Sequence, residues 1–148
     1  MQEIKLKIKK LLPEAKLPVY GSANAAGADL YALTDHDIRI GANETAVVHT
    51  GLAAEISEGY VGLIFARSGL ATRKGLAPAN KVGVIDSDYR GEIRVALHND
   101  SKYMQTVEPY ERIAQLVVMP YVFARFEESE ELSDTERGEG GFGSTGSK

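Results

Sequence analysis

Short β-forming runs, cut at close intervals by Gly, Asn, Asp and Pro, constrain the fold of this chain more than any other feature. They extend from Asp37 to Ile40, Thr45 to His49, Leu52 to Ile56, Tyr60 to Phe65, Gly83 to Ile85, Ile93 to His98 and Ile113 to Val118. Near the start, Ile4, Leu6 and Ile8 alternate with Lys5, Lys7 and Lys9. A period of two marks a half-buried strand, and the outward lysines suit a sheet edge, where charge discourages pairing with other chains. Many short strands with little helix between them predict an all-β protein, a jelly-roll-like barrel or sandwich. One short helix is expected: Ser68 caps it, Leu70 to Lys74 fill it and Gly75 ends it.

At 148 residues the chain fits one domain. Tryptophan is absent and aromatics make up 7%, so the core must rest on Val, Ile, Leu and Ala. The formal charge is −4, from 17 basic and 21 acidic residues. That balance argues against a nucleic-acid partner and against a basic membrane-surface protein, while leaving room for one anionic ligand held by local arginines. Without cysteine there are no disulfides, thiolate metal sites or thiol nucleophiles. His36, His49 and His98 are widely spaced and match no metal motif. No apolar run reaches membrane-spanning length, and the segment Met1 to Lys7 alternates in polarity rather than forming a signal peptide. The expectation is a cytoplasmic or otherwise intracellular protein without a membrane partner.

Candidate chemistry sits in three places. Gly83-Val84-Ile85-Asp86-Ser87-Asp88-Tyr89-Arg90-Gly91 reads as a strand entering a tight turn, with Ile93 to His98 returning as the second arm of a hairpin. Asp88 and Gly91 suit the first and fourth positions of a type I turn. Asp86 follows two apolar β-formers in a stretch expected to be half buried, where an acid must be paired, hydrogen-bonded or functional. A carboxylate held there can orient and deprotonate a water; the plainer alternative is that it braces the turn. Arg67 beside a helix start at Ser68 is a natural phosphate contact, or an ordinary capped turn.

The third place is the C-terminal tail, from Arg137 to Gly146, which concentrates glycine, two hydroxyls, an arginine and Phe142. Glycines let backbone N–H groups approach an anion, and Ser144, Thr145 and Arg137 can bind phosphate oxygens. The tail reads either as a mobile lid over a nucleotide or as a plain flexible terminus. Its match to G-x-G-x-x-G lacks the flanking strand and helix that a dinucleotide site requires. The acidic run Glu127 to Asp134 reads as a tether, which divides the chain into a β body, 1–126, and a tether with lid, 127–148.

Five segments in order carry a resemblance: Ala26 to Ala32, Ala66 to Ala71, Gly83 to Gly91, Glu111 to Leu116, and the tail. Together they make the chain similar to the trimeric dUTP pyrophosphatases (dUTPases). The resemblance implies a jelly-roll-like fold of the β-clip type and a homotrimer with sites at subunit interfaces. It also implies hydrolysis of dUTP to dUMP and pyrophosphate with Mg²⁺, which lowers dUTP and supplies dUMP for thymidylate synthesis. Asp86 would be the general base for the water that attacks the α-phosphorus. Asn80, Gly83, Val84, Ile85 and Arg94 would frame the uracil, and Tyr89 would pack on deoxyribose and exclude ribose. Arg67, Ser68, Gly69 and Gln115 would hold phosphates, and Asp29 would anchor Mg²⁺ through a water. Arg137, Phe142, Gly143, Ser144 and Thr145 would close over the nucleotide. Arg112 would touch phosphate or the closed tail, or brace the interface. A dCTP deaminase of the same broad fold and a non-catalytic nucleotide-binding protein are the competing readings.

Overall fold

Alternation of apolar and polar side chains becomes two packed antiparallel sheets. The computed structural model describes residues 3–141. Among them are eleven strands and one helix: β1 (Lys7–Lys10), β2 (Val19–Tyr20), β3 (Ala28–Tyr31), β4 (Ile38–Ile40), β5 (Thr45–Glu55), β6 (Tyr60–Phe65), α1 (Ser68–Lys74), β7 (Leu76–Pro78), β8 (Gly83–Ile85), β9 (Glu92–Asn99), β10 (Gln105–Val107) and β11 (Arg112–Pro120). One sheet has the order β1-β5-β9-β7, the other β2-β3-β11-β6-β8, and β10 pairs with β4 alone.

The core lies between the sheets. Val48, Leu52, Ile93, Val95 and Leu97 from the first meet Leu30, Ile64, Ile113 and Leu116 from the second in one buried cluster. On β9, Ile93, Val95, Leu97 and Asn99 all point inward at spacing two. Asn99 is fully buried and satisfied: its Nδ2 donates to the carbonyls of Ile40, Gly41 and Tyr103, and its Oδ1 accepts from the Ser101 N–H. A buried amide is tolerated only on such terms. The arrangement is jelly-roll-like, as expected, and β1 is an edge strand with exposed lysines.

Three local expectations need correction. Thr45 to His49 and Leu52 to Ile56 form one long strand, β5, with an irregularity in its pairing with β9 between His49 and Ala53. Gly51 sits there with φ +66°, so the glycine bends a continuous strand instead of ending it. The hairpin between Gly83–Ile85 and Ile93–His98 does not form: β8 pairs with β6, and β9 with β5 and β7. The chain crosses from one sheet to the other, and the two strands splay apart around a cleft.

The third correction concerns α1. Arg67, in extended conformation at φ −86° and ψ 127°, holds the N-cap without a side-chain cap bond, and Ser68 is the first helical residue. Arg67 is still on the path out of β6, and its side chain is drawn sideways to Asp29. Gly75 ends the helix as expected, with φ 67° and its N–H bonded to the Ala71 carbonyl. No helix among the described residues is long and apolar enough to cross a membrane. Beyond Pro120 the described chain has no strand or helix, and Val122, Phe123 and Phe126 are almost fully exposed.

Candidate active site

The expected site residues of the β body gather in two separate clefts. The first, of about 710 Å³, is lined by Asp29, Arg67, Ser68, Gly69 and Gln115 together with Arg73, Lys74, Glu111, Arg112 and others. The second, of about 370 Å³, is lined by Asn80, Gly83, Val84, Ile85, Asp86, Tyr89 and Arg94 among others, and shares no residue with the first.

The first cleft is built on ion pairs. Asp29, on β3, is only 8% exposed. Its Oδ1 accepts from Arg67 Nε at 2.7 Å and its Oδ2 from Arg112 Nη1 at 3.2 Å. One carboxylate thus fixes two guanidinium groups, an arrangement that a buried charge requires. Among the described residues, Arg112 meets Asp29 and pairs with no other acid. Lys74 Nζ is bound by Glu111 Oε1 at 2.7 Å and by the Thr106 carbonyl at 2.8 Å. Arg73 lines the same cleft with its Nε near the Gly69 carbonyl, at 3.4 Å, and carries no ion pair among the described residues. These pairings of Asp29, Lys74 and Glu111 escape sequence reasoning because the partners lie 37 to 83 residues apart. Arg73 and Lys74 were legible as basic residues in the last turn of α1, a weak signal.

Gln115, on β11, is held by donation from its Nε2 to the Ala66 carbonyl at 2.9 Å. Its Oε1 lies 2.4 Å from where a Cβ on Gly27 would stand, so Gly27 makes the space that Gln115 occupies. The Ser68 side chain is exposed, and among the described residues its hydroxyl has no hydrogen-bond partner. With four basic and two acidic side chains in its lining, this cleft suits a polyanion.

No group of three His, Cys, Asp or Glu side chains among the described residues can cage a metal ion. Asp29 has both oxygens engaged, yet each keeps a second lone pair. That fits an outer-shell contact through a water and not direct ligation.

The second cleft lies where β8 and β9 part. The turn is Asp86 to Tyr89, closed by the Tyr89 N–H on the Asp86 carbonyl at 3.2 Å, and not Asp88 to Gly91 as the sequence suggests. Asp86 therefore takes the first position, which aspartate favours. It is exposed, contrary to the half-buried setting expected of it. Two acids line this cleft, Asp86 and Glu92. Glu92 is committed: Oε2 meets His49 Nδ1 at 2.8 Å and Oε1 accepts from the Gly51 N–H at 2.9 Å. The Asp86 carboxylate makes no hydrogen bond or ion pair among the described residues and is available to a ligand or water.

Arg137 lines neither cleft and donates from Nε to the Gly140 carbonyl at 2.7 Å. Phe142, Gly143, Ser144 and Thr145 lie outside the described residues.

Known proteins share both sequence and architecture with this chain. The dUTPase family model matches residues 13–146. The deoxyuridine 5'-triphosphate nucleotidohydrolase of Nautilia profundicola is 53% identical over 97% of this chain and 99% of its own length. That of a Hydrogenobaculum strain is 47% identical, over 98% of this chain and all of the relative. Among solved structures, the dUTPase of Staphylococcus bacteriophage 80alpha with dUPNHPP has a TM-score of 0.83 and 30% identity, covering 96% of this chain and 98% of that one. Full-length agreement of this kind, on a matching β architecture, means that the chain belongs to the dUTPase family.

Proposed function

We propose that this protein is a dUTP diphosphatase that hydrolyses dUTP to dUMP and pyrophosphate, using Asp86 as general base. Family membership supports the overall reaction, and the phage relative's structure with dUPNHPP supports a nucleotide ligand. The observation that carries the choice of base is the contrast in the second cleft: Glu92 is bound up by His49 and Gly51, while Asp86 is exposed and, among the described residues, unpaired.

In this reading the backbone of β8 and β9, with Asn80 and Arg94, receives the uracil, and Tyr89 packs against the deoxyribose. Arg67, Ser68, the Gly69 backbone and Gln115 take the phosphates. Asp86 orients one water toward the α-phosphorus and accepts its proton as the bond to the bridging oxygen breaks. Phosphoryl chemistry asks mainly for positioning and charge neutralisation, which the cationic cleft provides. Mg²⁺, carried on the triphosphate with Asp29 reaching it through a water, would offset charge on the phosphate oxygens.

Separate linings support a site assembled from different copies of the chain, in a homotrimer, with the nucleoside cleft of one facing the phosphate cleft of another. Arg137, Phe142, Gly143, Ser144 and Thr145 would then close over the bound nucleotide, excluding bulk water. The product dUMP would be available for thymidylate synthesis.

A nucleotide panel with pyrophosphate readout, with and without Mg²⁺, tests the reading. Release from dUTP, with dTTP and UTP much poorer, is expected. Equal turnover of all three, or ammonia from dCTP, would overturn it.

A further inference from the structure

Gly91 has no backbone reason to be glycine. It lies outside the Asp86–Tyr89 turn, and its φ is not in the left-handed region occupied by Gly51, Gly59, Gly75 and Gly138. What fills the space where its side chain would stand is Tyr89. A Cβ there would lie 2.4 Å from the Tyr89 hydroxyl oxygen, 2.6 Å from Cζ and 2.9 Å from Cε2. The ring is folded back across the glycine, and its hydroxyl donates to the Glu92 carbonyl at 2.9 Å. Glu92 is in turn fixed by its carboxylate, held by His49 and the Gly51 N–H. Tyr89 is 42% exposed, so little packing on its outer side keeps it in place. An exposed aromatic of this kind would otherwise sample several rotamers.

We infer that Gly91 is a specificity-determining residue: by lacking a side chain it seats the Tyr89 ring, tethered to the Glu92 carbonyl, at the edge of the nucleoside cleft. This rests on the reading that Tyr89 packs against the sugar. The substrate feature at stake is the 2′ position of a uridine triphosphate. A side chain at residue 91 swings the ring outward, where solvent accepts it, so the fold survives while the wall facing the sugar is lost. A hydrogen bond and a steric seat together set one rotamer, as a pre-organised binding wall requires.

The test is a double-mutant cycle on discrimination, defined as kcat/KM for dUTP over that for UTP. Gly91→Ala should lower this ratio at least ten-fold, by raising the KM for dUTP and admitting UTP, with the thermal midpoint close to wild type. In a Tyr89→Ala background, Gly91→Ala should change nothing further, because residue 91 acts only through the ring. Tyr89→Phe, which loses the tether but keeps the ring, should fall between the two. An unchanged ratio in Gly91→Ala, or additive losses in the double variant, overturns the inference. Should Gly91→Ala fail to fold, the double variant decides. Recovery of folding on removing the ring supports the seat, and continued failure shows that the glycine serves the backbone. A wild-type enzyme that does not prefer dUTP over UTP would instead refute the proposed function itself.

Discussion

Asp29 and Asp86 are the same side chain in two regions that treat it in opposite ways. Asp29 is nearly buried in the first, cationic cleft, with a guanidinium on each oxygen. Asp86 stands exposed at the edge of the second cleft with no partner among the described residues. A carboxylate whose charge is already answered holds other groups in position; one left unanswered is ready to act on a water. The same contrast separates Arg67 and Arg112, which are fixed by Asp29, from Arg73, which lines the same cleft without an ion pair among the described residues.

The strongest way to break this comparison is to remove each charge in turn. Asp86→Asn should lower turnover of dUTP by about 10²–10⁴-fold, the range for losing a general base, with affinity for a non-hydrolysable analogue retained. Its unfolding free energy from urea titration should stay within about 0.5 kcal/mol of wild type, as for an exposed residue. Intact turnover would return Asp86 to the role of a turn brace.

Asp29→Asn should do the reverse first: it leaves two guanidinium groups facing each other without their anion. Losing one partner of a buried pair costs about 3–5 kcal/mol, and partial exposure of both arginines reduces this to roughly 2–3 kcal/mol in a urea titration. A stability equal to wild type would mean that the pairing organises nothing.

The smallest effect belongs to a third carboxylate, Glu55, paired with Lys7 at 2.9 Å on the edge strand. The hydrogen bond and charge of Lys7 hold its carboxyl below the ordinary value. The sign follows: any stabilisation is present above the ordinary carboxylate range and fades as pH falls through the lowered value. Because the group is fully solvated, unfolding curves of Glu55→Gln and wild type should superimpose at neutral pH and physiological salt. A clear difference would show that edge-strand charge contributes more than solvent screening allows.

The longer strands were legible: the alternation in β9 and the largely apolar runs of β6 and β11 are visible in the chain itself. β2, β7 and β10, at two or three residues each, carry no period of their own and are seen only in their pairing with β3, β9 and β4. Asp86 and Tyr89 were singled out from the residues themselves, and the family resemblance added Asn80, Gly83 and Arg94 to the group that lines the second cleft. That this cleft opens between two sheets was not legible, because β8 and β9 take their partners from distant strands. The Asp29–Arg112 contact was equally hidden, with 83 residues between its members.

Residue types and spacing alone determined an all-β body with one short helix, an arginine beside the helix start and an acid beside a turn. These follow from local backbone preference and side-chain chemistry, which travel with the residue wherever it lies. Tertiary structure alone decided which carboxylate is bound and which is free, which residue caps the helix, and why residue 91 carries no side chain. Each of these depends on what stands beside a group in space, and neighbours from distant segments are set only when the two sheets close on their common core.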